Sequence, residues 1–180
     1  MKELSLNILD IVENSVKAGA TLTEIVLEET DTQLIITVRD DGCGMTSEQV
    51  RAVTDPFYTT RTTRRVGMGL PLLRLQAEMT GGSMTVQSRA AAEFPDDHGT
   101  VVTAVFVKTH IDCMPLGDVV ETLVTLIQGH PDTDFRMEHR FPGGEAGMDT
   151  RELRQVLEDV PLNSYEVLRW IEGYLREQYS

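Results

Sequence analysis

The chain has little cysteine, few aromatic side chains and few basic ones. Only two of its 180 residues are cysteines, and aromatic residues make up 6% of the total. Cys43 and Cys113 are too few for a disulfide framework, and they do not form a metal-spaced pair. We therefore expect both to be reduced, small apolar side chains, as in a cytoplasmic protein.

Two further absences narrow the class of protein. No run of 18 apolar residues occurs, so the sequence predicts no membrane-spanning helix. No basic-then-apolar leader opens the chain, and we do not expect secretion. Basic residues are scarce, because 16 Lys and Arg stand against 29 Asp and Glu, for a net charge of −13 with neutral histidine. A surface this acidic should repel nucleic acids and anionic lipids.

The composition is that of a folded globular protein, with 41% apolar and 25% charged residues. Residues 3–18 have the periodicity of a helix, with apolar positions on one face and Asp10, Asn14 and Lys17 on the other. After this helix the patterns predict a β-hairpin, a short helix, a loop, a helix from Pro71 to Gly81 and a second hairpin. This order predicts an α+β fold, a two-layer sandwich with helices on one face of a mixed, mostly antiparallel sheet.

Residues 109–180 change in character. They predict an amphipathic helix, a hairpin around Gly143 and Gly144, and two helices capped by Thr150 and by Asn163 or Ser164. We therefore divide the chain into a domain at residues 1–108 and a small α+β extension at 109–180. The extension is either a separate module that docks a partner or a segment packed on the first domain.

The polar stripe of the first helix has two interpretations. It is either a solvated helix face or part of a binding site. In the second case the Asn14 amide oxygen suits a hard divalent ion such as Mg²⁺, and Lys17, one turn later, suits a phosphate group. Asp10, one turn earlier, would then be placed to orient a water molecule.

The segment DDGCGM follows a strand and also has two interpretations. It is either a plain turn or the wall of a pocket. A carboxylate such as Asp40 at a strand end can accept a hydrogen bond from an exocyclic amine. Gly42 and Gly44 would let a flat ligand approach the backbone closely.

The segment from Pro56 to Leu70 is basic within an acidic chain. It contains Arg61, Arg64 and Arg65 and no acidic residue, and it ends in Gly67 and Gly69 immediately before a helix. Backbone N–H groups at a helix N-terminus bind anions, and glycines allow the anion to approach. This segment is either an ordinary loop or a phosphate-binding one.

Five segments in this order resemble the GHKL ATPase superfamily, whose members include histidine kinases, anti-sigma serine kinases, gyrase B, Hsp90 and MutL. They are ENSVKAGAT, DDGCGM, PFYTTR, GMGLPL and the pair of strands GGSMTVQS and HGTVVTAVF. The likeness covers about residues 4–108. It implies a Bergerat-type fold with an ATP site between the helical layer and a flexible lid.

The resemblance also implies roles for individual residues. Asn14 would bind Mg²⁺ and take part in catalysis with Asp10, and Asp40 would accept from the adenine amine. The other cofactor-binding positions that it implies are Lys17, Gly42, Gly44, Thr60, Arg61, Gly67, Gly69, Leu70 and Thr100.

The branch of the superfamily follows from the same residues. Lys17, three residues after Asn14, and PFYTTR are typical of histidine kinases, whereas Gly19-Ala20-Thr21 is typical of MutL-like proteins. Pro71 departs from the kinase pattern, which has a glycine there, and it removes one N–H from the helix.

Since no histidine lies in a kinase phosphoacceptor motif, we expect Mg²⁺-dependent phosphoryl transfer from ATP to a separate protein, with His the first choice and Ser the second. The alternatives are an ATP-hydrolysing switch with Asp10 as general base, and a nucleotide-sensing module without chemistry.

Overall fold

The computed structural model describes residues 3–55 and 69–180, which form six helices and six strands. The helices are α1 (Leu4–Lys17), α2 (Ser47–Thr54), α3 (Gly69–Met79), α4 (Val119–Gly129), α5 (Thr150–Leu157) and α6 (Tyr165–Tyr179). The strands are β1 (Leu22–Glu29), β2 (Gln33–Asp40), β3 (Ser83–Arg89), β4 (Gly99–Val107), β5 (Asp134–Phe141) and β6 (Gly144–Asp149). None of these helices is both long and apolar enough to cross a membrane.

All six strands belong to one sheet in the order β3-β4-β2-β1-β5-β6. Every neighbouring pair is antiparallel except β1 and β5, which run parallel. Buried and part-exposed residues alternate along β1, β2 and β5, so one face of the sheet is covered. The buried residues of α1, α3, α4 and α6 share a single core with that face, which confirms the predicted α+β class and the mixed sheet.

The strands of the C-terminal extension continue the sheet. Strand β5 lies beside β1, with Leu22 opposite Asp134 and Glu28 opposite Arg140. Helix α4 packs on α1, and α6 packs on α4 and β6. Residues 109–180 thus contribute a third of the strands and part of the same core.

The N-caps of α2 and α5 test the local sequence signals. The sequence indicates either Thr46 or Ser47 as the cap of α2, and in the structure Thr46 caps it in a capping box with Gln49. The predicted cap of α5 at Thr150 is wrong, because Asp149 occupies that position and accepts from the Arg151 N–H at 2.9 Å. The buried Thr150 hydroxyl instead accepts from the Phe135 N–H and donates to Asp134, both at 2.9 Å, and so ties the helix to β5.

The two cysteines differ in environment. Cys113 is half-buried and packs against the core, as expected for a small apolar side chain. The same expectation for Cys43 is wrong, because its side chain is exposed. Its backbone explains its position, since its N–H donates to the Ala18 carbonyl at 2.9 Å and anchors the loop after β2 to the end of α1.

Candidate functional site

A cavity of about 360 Å³ lies where α1, the end of β2, the start of α3 and the start of β4 meet. Apolar side chains form much of its wall, from Ile11, Val38, Met45, Val53 and Val102. The predicted site residues that line it are Asn14, Lys17, Asp40, Gly44, Leu70 and Thr100. The cavity therefore combines an apolar slot with an amide, an amine, a carboxylate and a hydroxyl.

The pairing of β2 with β4 places Asp40 directly opposite Thr100 at one end of the slot. One Asp40 oxygen accepts from the Gly42 N–H at 2.9 Å, and the other accepts from the Ser15 hydroxyl at 2.7 Å. Both bonds use the carboxylate as an acceptor and hold it in one orientation. Lone pairs remain on both oxygens, so Asp40 can accept a further hydrogen bond from a ligand.

The neighbouring Asp41 has a structural task. Its carboxylate accepts from the Thr21 N–H at 2.7 Å, from the Thr21 hydroxyl at 2.5 Å and from the Leu22 N–H at 3.1 Å. Partial burial by itself raises the pKa of this carboxyl, but these hydrogen bonds outweigh burial and hold the pKa below its usual value. Asp41 thus joins the end of β2 to the start of β1, which leaves Asp40 to face the cavity.

Two glycines near the cavity are required by their surroundings. Gly44 has φ +69, and a Cβ there would lie 1.9 Å from the Arg89 carbonyl oxygen. Gly99 has φ +142, and a Cβ there would lie 2.1 Å from the Asp40 carbonyl oxygen. Each position combines a left-handed backbone with a close approach, and both keep the loop after β2 pressed against β3 and β4.

The structure describes part of the cavity end that is predicted to bind phosphates. Asn14 and Lys17 are exposed on α1 and reach the cavity, whereas Asp10 is half-buried and is not among the described lining residues. A Cβ at Gly69 would lie 3.6 Å from the Asp10 Cβ and 3.9 Å from the Asn14 Nδ2, so the first turn of α3 passes close to both. Thr60, Arg61 and Gly67 lie outside the described residues.

Sequence reasoning missed Ser15. This side chain is buried, at 4% exposure, and donates to Asp40 from the helix that carries Asn14. The signal was present, because Ser15 occupies the next position of the apolar stripe after Ile11 and Val12. A serine in an apolar stripe needs a hydrogen-bond partner inside the fold.

A second, wider depression of about 1200 Å³ adjoins the cavity and shares Asp40 and Thr100 with it. Charged and polar side chains contribute much of its lining, among them Arg39, Arg89 and Asp97. The adenine ring that the resemblance implies is flat, and its faces need an apolar slot. We therefore place the candidate site in the smaller cavity.

The chain belongs to the family described as histidine kinase-, DNA gyrase B-, and HSP90-like ATPase, whose profile matches residues 2–110. This match confirms the resemblance that the five motifs indicate. One curated relative is named a sensor histidine kinase, and another is named a sporulation kinase. The tetrathionate sensor histidine kinase TtrS of Salmonella typhimurium is 33% identical over 98 residues, 54% of this chain and 16% of that protein. Sporulation kinase C of Bacillus subtilis is 29% identical over 85 residues, 46% of this chain and 19% of that protein.

The match thus spans less than a fifth of the length of these relatives. Among solved structures, the Aquifex aeolicus MutL ATPase domain complexed with ADP is similar, with a TM-score of 0.59 and 16% identity. That likeness covers 88% of this chain and 70% of that one. At this identity it shows a shared fold, which includes most of the C-terminal extension.

Proposed function

We propose that the protein binds Mg²⁺-ATP in the smaller cavity and transfers the γ-phosphoryl group to a separate protein, with His the first choice of acceptor and Ser the second. One observation carries the proposal. Asn14 and Lys17 from α1, Asp40 from β2 and Thr100 from β4 line the same apolar slot, although they are far apart in sequence. Family membership supports ATP as the ligand.

At the adenine end, Asp40 accepts from the exocyclic amine and Thr100 lies beside it. The ring would lie between the apolar side chains of the wall, including Val38 and Val102. Gly42 orients the carboxylate through its N–H, and Gly44 lets the loop approach the ring. Leu70 closes the slot from the first turn of α3.

At the phosphate end, the Asn14 amide oxygen is a suitable ligand for Mg²⁺, which takes few protein ligands and keeps several waters. Bound Mg²⁺ would neutralise charge on the phosphates. Lys17 adds a positive charge at the same end. We assign Thr60, Arg61, Gly67 and Gly69 to the phosphates from their motif positions.

In the proposed reaction, the acceptor imidazole nitrogen attacks the γ-phosphorus. The bond between that phosphorus and the bridging oxygen breaks, and ADP leaves with the electron pair. Catalysis of this kind depends on positioning and charge neutralisation. None of the four histidines is among the described lining residues of the cavity, which supports an acceptor on another chain.

The second candidate is an ATP-hydrolysing conformational switch in which Asp10 activates water. The observation that favours it is the likeness to the MutL ATPase domain, which extends over 88% of this chain and so beyond the profile match. The sequence Gly19-Ala20-Thr21 after α1 points the same way.

The Asp10→Asn variant distinguishes the two candidates. With γ-labelled ATP, we expect it to retain label transfer to a partner from a lysate of the source organism. In a switch, phosphate release should fall by about a hundredfold or more, because a general base is lost. Asp31→Asn, at an exposed position in the turn after β1, is the matched control and should behave like the unmodified protein.

Calorimetry with Mg²⁺-ATP tests the proposal at its base. Asn14→Ala should weaken binding in the presence of Mg²⁺ more than in its absence, because the amide oxygen is lost. If the unmodified protein binds no adenine nucleotide, the proposal fails. Tight binding with neither label transfer nor phosphate release would identify a nucleotide-sensing module instead.

A further inference from the structure

The Ser88 hydroxyl on β3 lies at the centre of three hydrogen bonds next to the adenine end of the cavity. Its oxygen is 2.8 Å from the Met45 backbone nitrogen, 3.1 Å from the Gly99 carbonyl oxygen and 2.8 Å from the Thr100 hydroxyl oxygen. Thr100 and Met45 line the cavity, whereas Ser88 lines the wider depression beside it. Ser88 therefore acts on the cavity through its neighbours.

The number of protons fixes the direction of these bonds. The Met45 N–H can only donate and the Gly99 carbonyl can only accept, while Ser88 has one proton to give. All three bonds form together only when Ser88 donates to Gly99. Thr100 must then donate its own proton to Ser88, and the opposite direction would lose the bond to Gly99.

In this arrangement the Thr100 oxygen keeps free lone pairs but has no proton left for a ligand. Asp40, directly opposite on β2, is also an acceptor, with both oxygens already accepting from Gly42 and Ser15. The two side chains at this end of the slot therefore offer acceptors only.

We propose that Ser88 is a positioning residue that fixes the Thr100 proton away from the cavity, so that the site selects purines with an amino group at position six over purines with an oxo group. The inference rests on the proposed function and specifies its nucleotide. A six-amino group donates to these oxygens. A six-oxo group would place its oxygen against two other acceptors with no proton between them.

The test measures affinities of ATP, inosine triphosphate and purine riboside triphosphate by calorimetry. The three carry an amino group, an oxo group and a hydrogen at position six. In Ser88→Ala the Thr100 hydroxyl can turn toward the ligand and donate to an oxo group. We expect the preference for ATP over inosine triphosphate to fall by about tenfold, the size of one hydrogen bond made or left unpaired.

Three further variants make the result specific. Ser83→Ala removes a hydroxyl from an exposed position on the same strand and should leave the preference unchanged. Ser88→Thr retains the hydroxyl and should show the same preference for ATP over inosine triphosphate as the unmodified protein. In a Thr100→Val background, Ser88→Ala should have no further effect on the preference, because the relay has lost its last member.

Each outcome decides the matter. If the unmodified protein binds ATP but Ser88→Ala keeps its preference, the inference is wrong while the proposed function stands. An effect of Ser88→Ala that persists in the Thr100→Val background also overturns it, since the route would not pass through Thr100. If the unmodified protein binds none of the three nucleotides, both proposals fail.

Circular dichroism shows whether Ser88→Ala folds. If it does not, Thr100→Val and Ser88→Thr decide the matter. The preference for ATP must fall in Thr100→Val and persist in Ser88→Thr.

Discussion

The orientation of one carboxylate determines what the candidate site can recognise. Asp40 is held through both oxygens, by a backbone N–H two residues later and by a hydroxyl on another element. Such a fixed acceptor loses little freedom when a ligand binds. The contribution of Ser15 to nucleotide affinity should therefore exceed that of an ordinary buried serine.

Replacing Ser15 with alanine tests this contribution. We expect ATP and ADP affinities to fall by about three- to tenfold, because Asp40 loses one of its two fixed hydrogen bonds. Isothermal titration calorimetry measures the affinities. Competition by inorganic triphosphate should be unchanged, since that ligand lacks the base. Ser164→Ala is the control, because this residue precedes α6 without a side-chain capping bond. A loss confined to the inorganic ligand would contradict the assignment.

Individual residues differ in how far the sequence reveals them. Asn14, Lys17, Asp40 and Thr100 were predicted from motifs, and the structure brings all four to one cavity. Ser15 had a signal, as a polar residue in an apolar stripe. Ser88 had none, because its partners are 11, 12 and 43 residues away and meet only once β3, β4 and the loop after β2 are assembled.

At the scale of elements, a polar cluster joins β1, β4, β5 and α6. His139 on β5 is 4% exposed and contacts the Glu29 carboxylate and the Tyr179 hydroxyl, each at 2.8 Å. Lys108, after β4, bridges to the other Glu29 oxygen at 2.8 Å. Burial and the charge of Glu29 raise the pKa of Tyr179 to about 12, so its hydroxyl keeps its proton at neutral pH.

Glu29 should make this cluster sensitive to acid. Burial alone raises the pKa of its carboxyl, but hydrogen bonds with Lys108 and His139 outweigh burial and hold the pKa below 4.5. A depressed pKa in the folded state contributes stability that is present above 4.5 and is lost as pH falls through the folded value. Glu29→Gln should thus lower the free energy of unfolding by about 1–2 kcal/mol at neutral pH. The deficit should shrink below about pH 4.5.

Urea unfolding at several pH values measures this difference. Glu145→Gln, at an exposed position on β6, is the control and should change the free energy of unfolding little at any pH. A deficit of Glu29→Gln that stays constant down to about pH 3 would show that the carboxylate's charge is not what stabilises the cluster.

At the scale of the whole molecule, the sequence predicts where the strands lie more accurately than which strands pair with each other. The three antiparallel hairpins join strands that are adjacent in the chain, and short turns specify two of them, β1–β2 and β5–β6. The parallel pairing of β1 with β5 joins Leu22 to Asp134, and no local pattern encodes it. The burial of α4 against α1, the shared core and the ion pair between Arg136 and Glu24 support this register, and all depend on residues far apart in sequence, so the role of residues 109–180 could not be derived from the sequence.

The start of the extension also completes α1, the helix that carries Asn14. Glu3 provides no side-chain cap. Instead, the N–H groups of Leu4 and Ser5 donate to the carbonyls of Pro115 and Leu116 at 2.9 and 2.7 Å. Free N–H groups at a buried helix end are costly, so the ATP-binding part should depend on the extension.

A protease site inserted after Ile111, which is 94% exposed, tests this dependence. Exposed loop tips tolerate insertion and cutting. We expect the cut protein to elute in gel filtration as one species, to unfold in one transition and to bind ATP like the uncut protein, because both pieces share one core and one sheet. When the two pieces are separated in urea and the urea is then removed, the N-terminal piece should no longer bind ATP. Without the extension, β1 loses a neighbour and α1 loses its N-terminal acceptors. If the pieces instead separate in native buffer and the N-terminal piece still binds ATP, residues 109–180 are an independent module, and a docking role for them becomes the better interpretation.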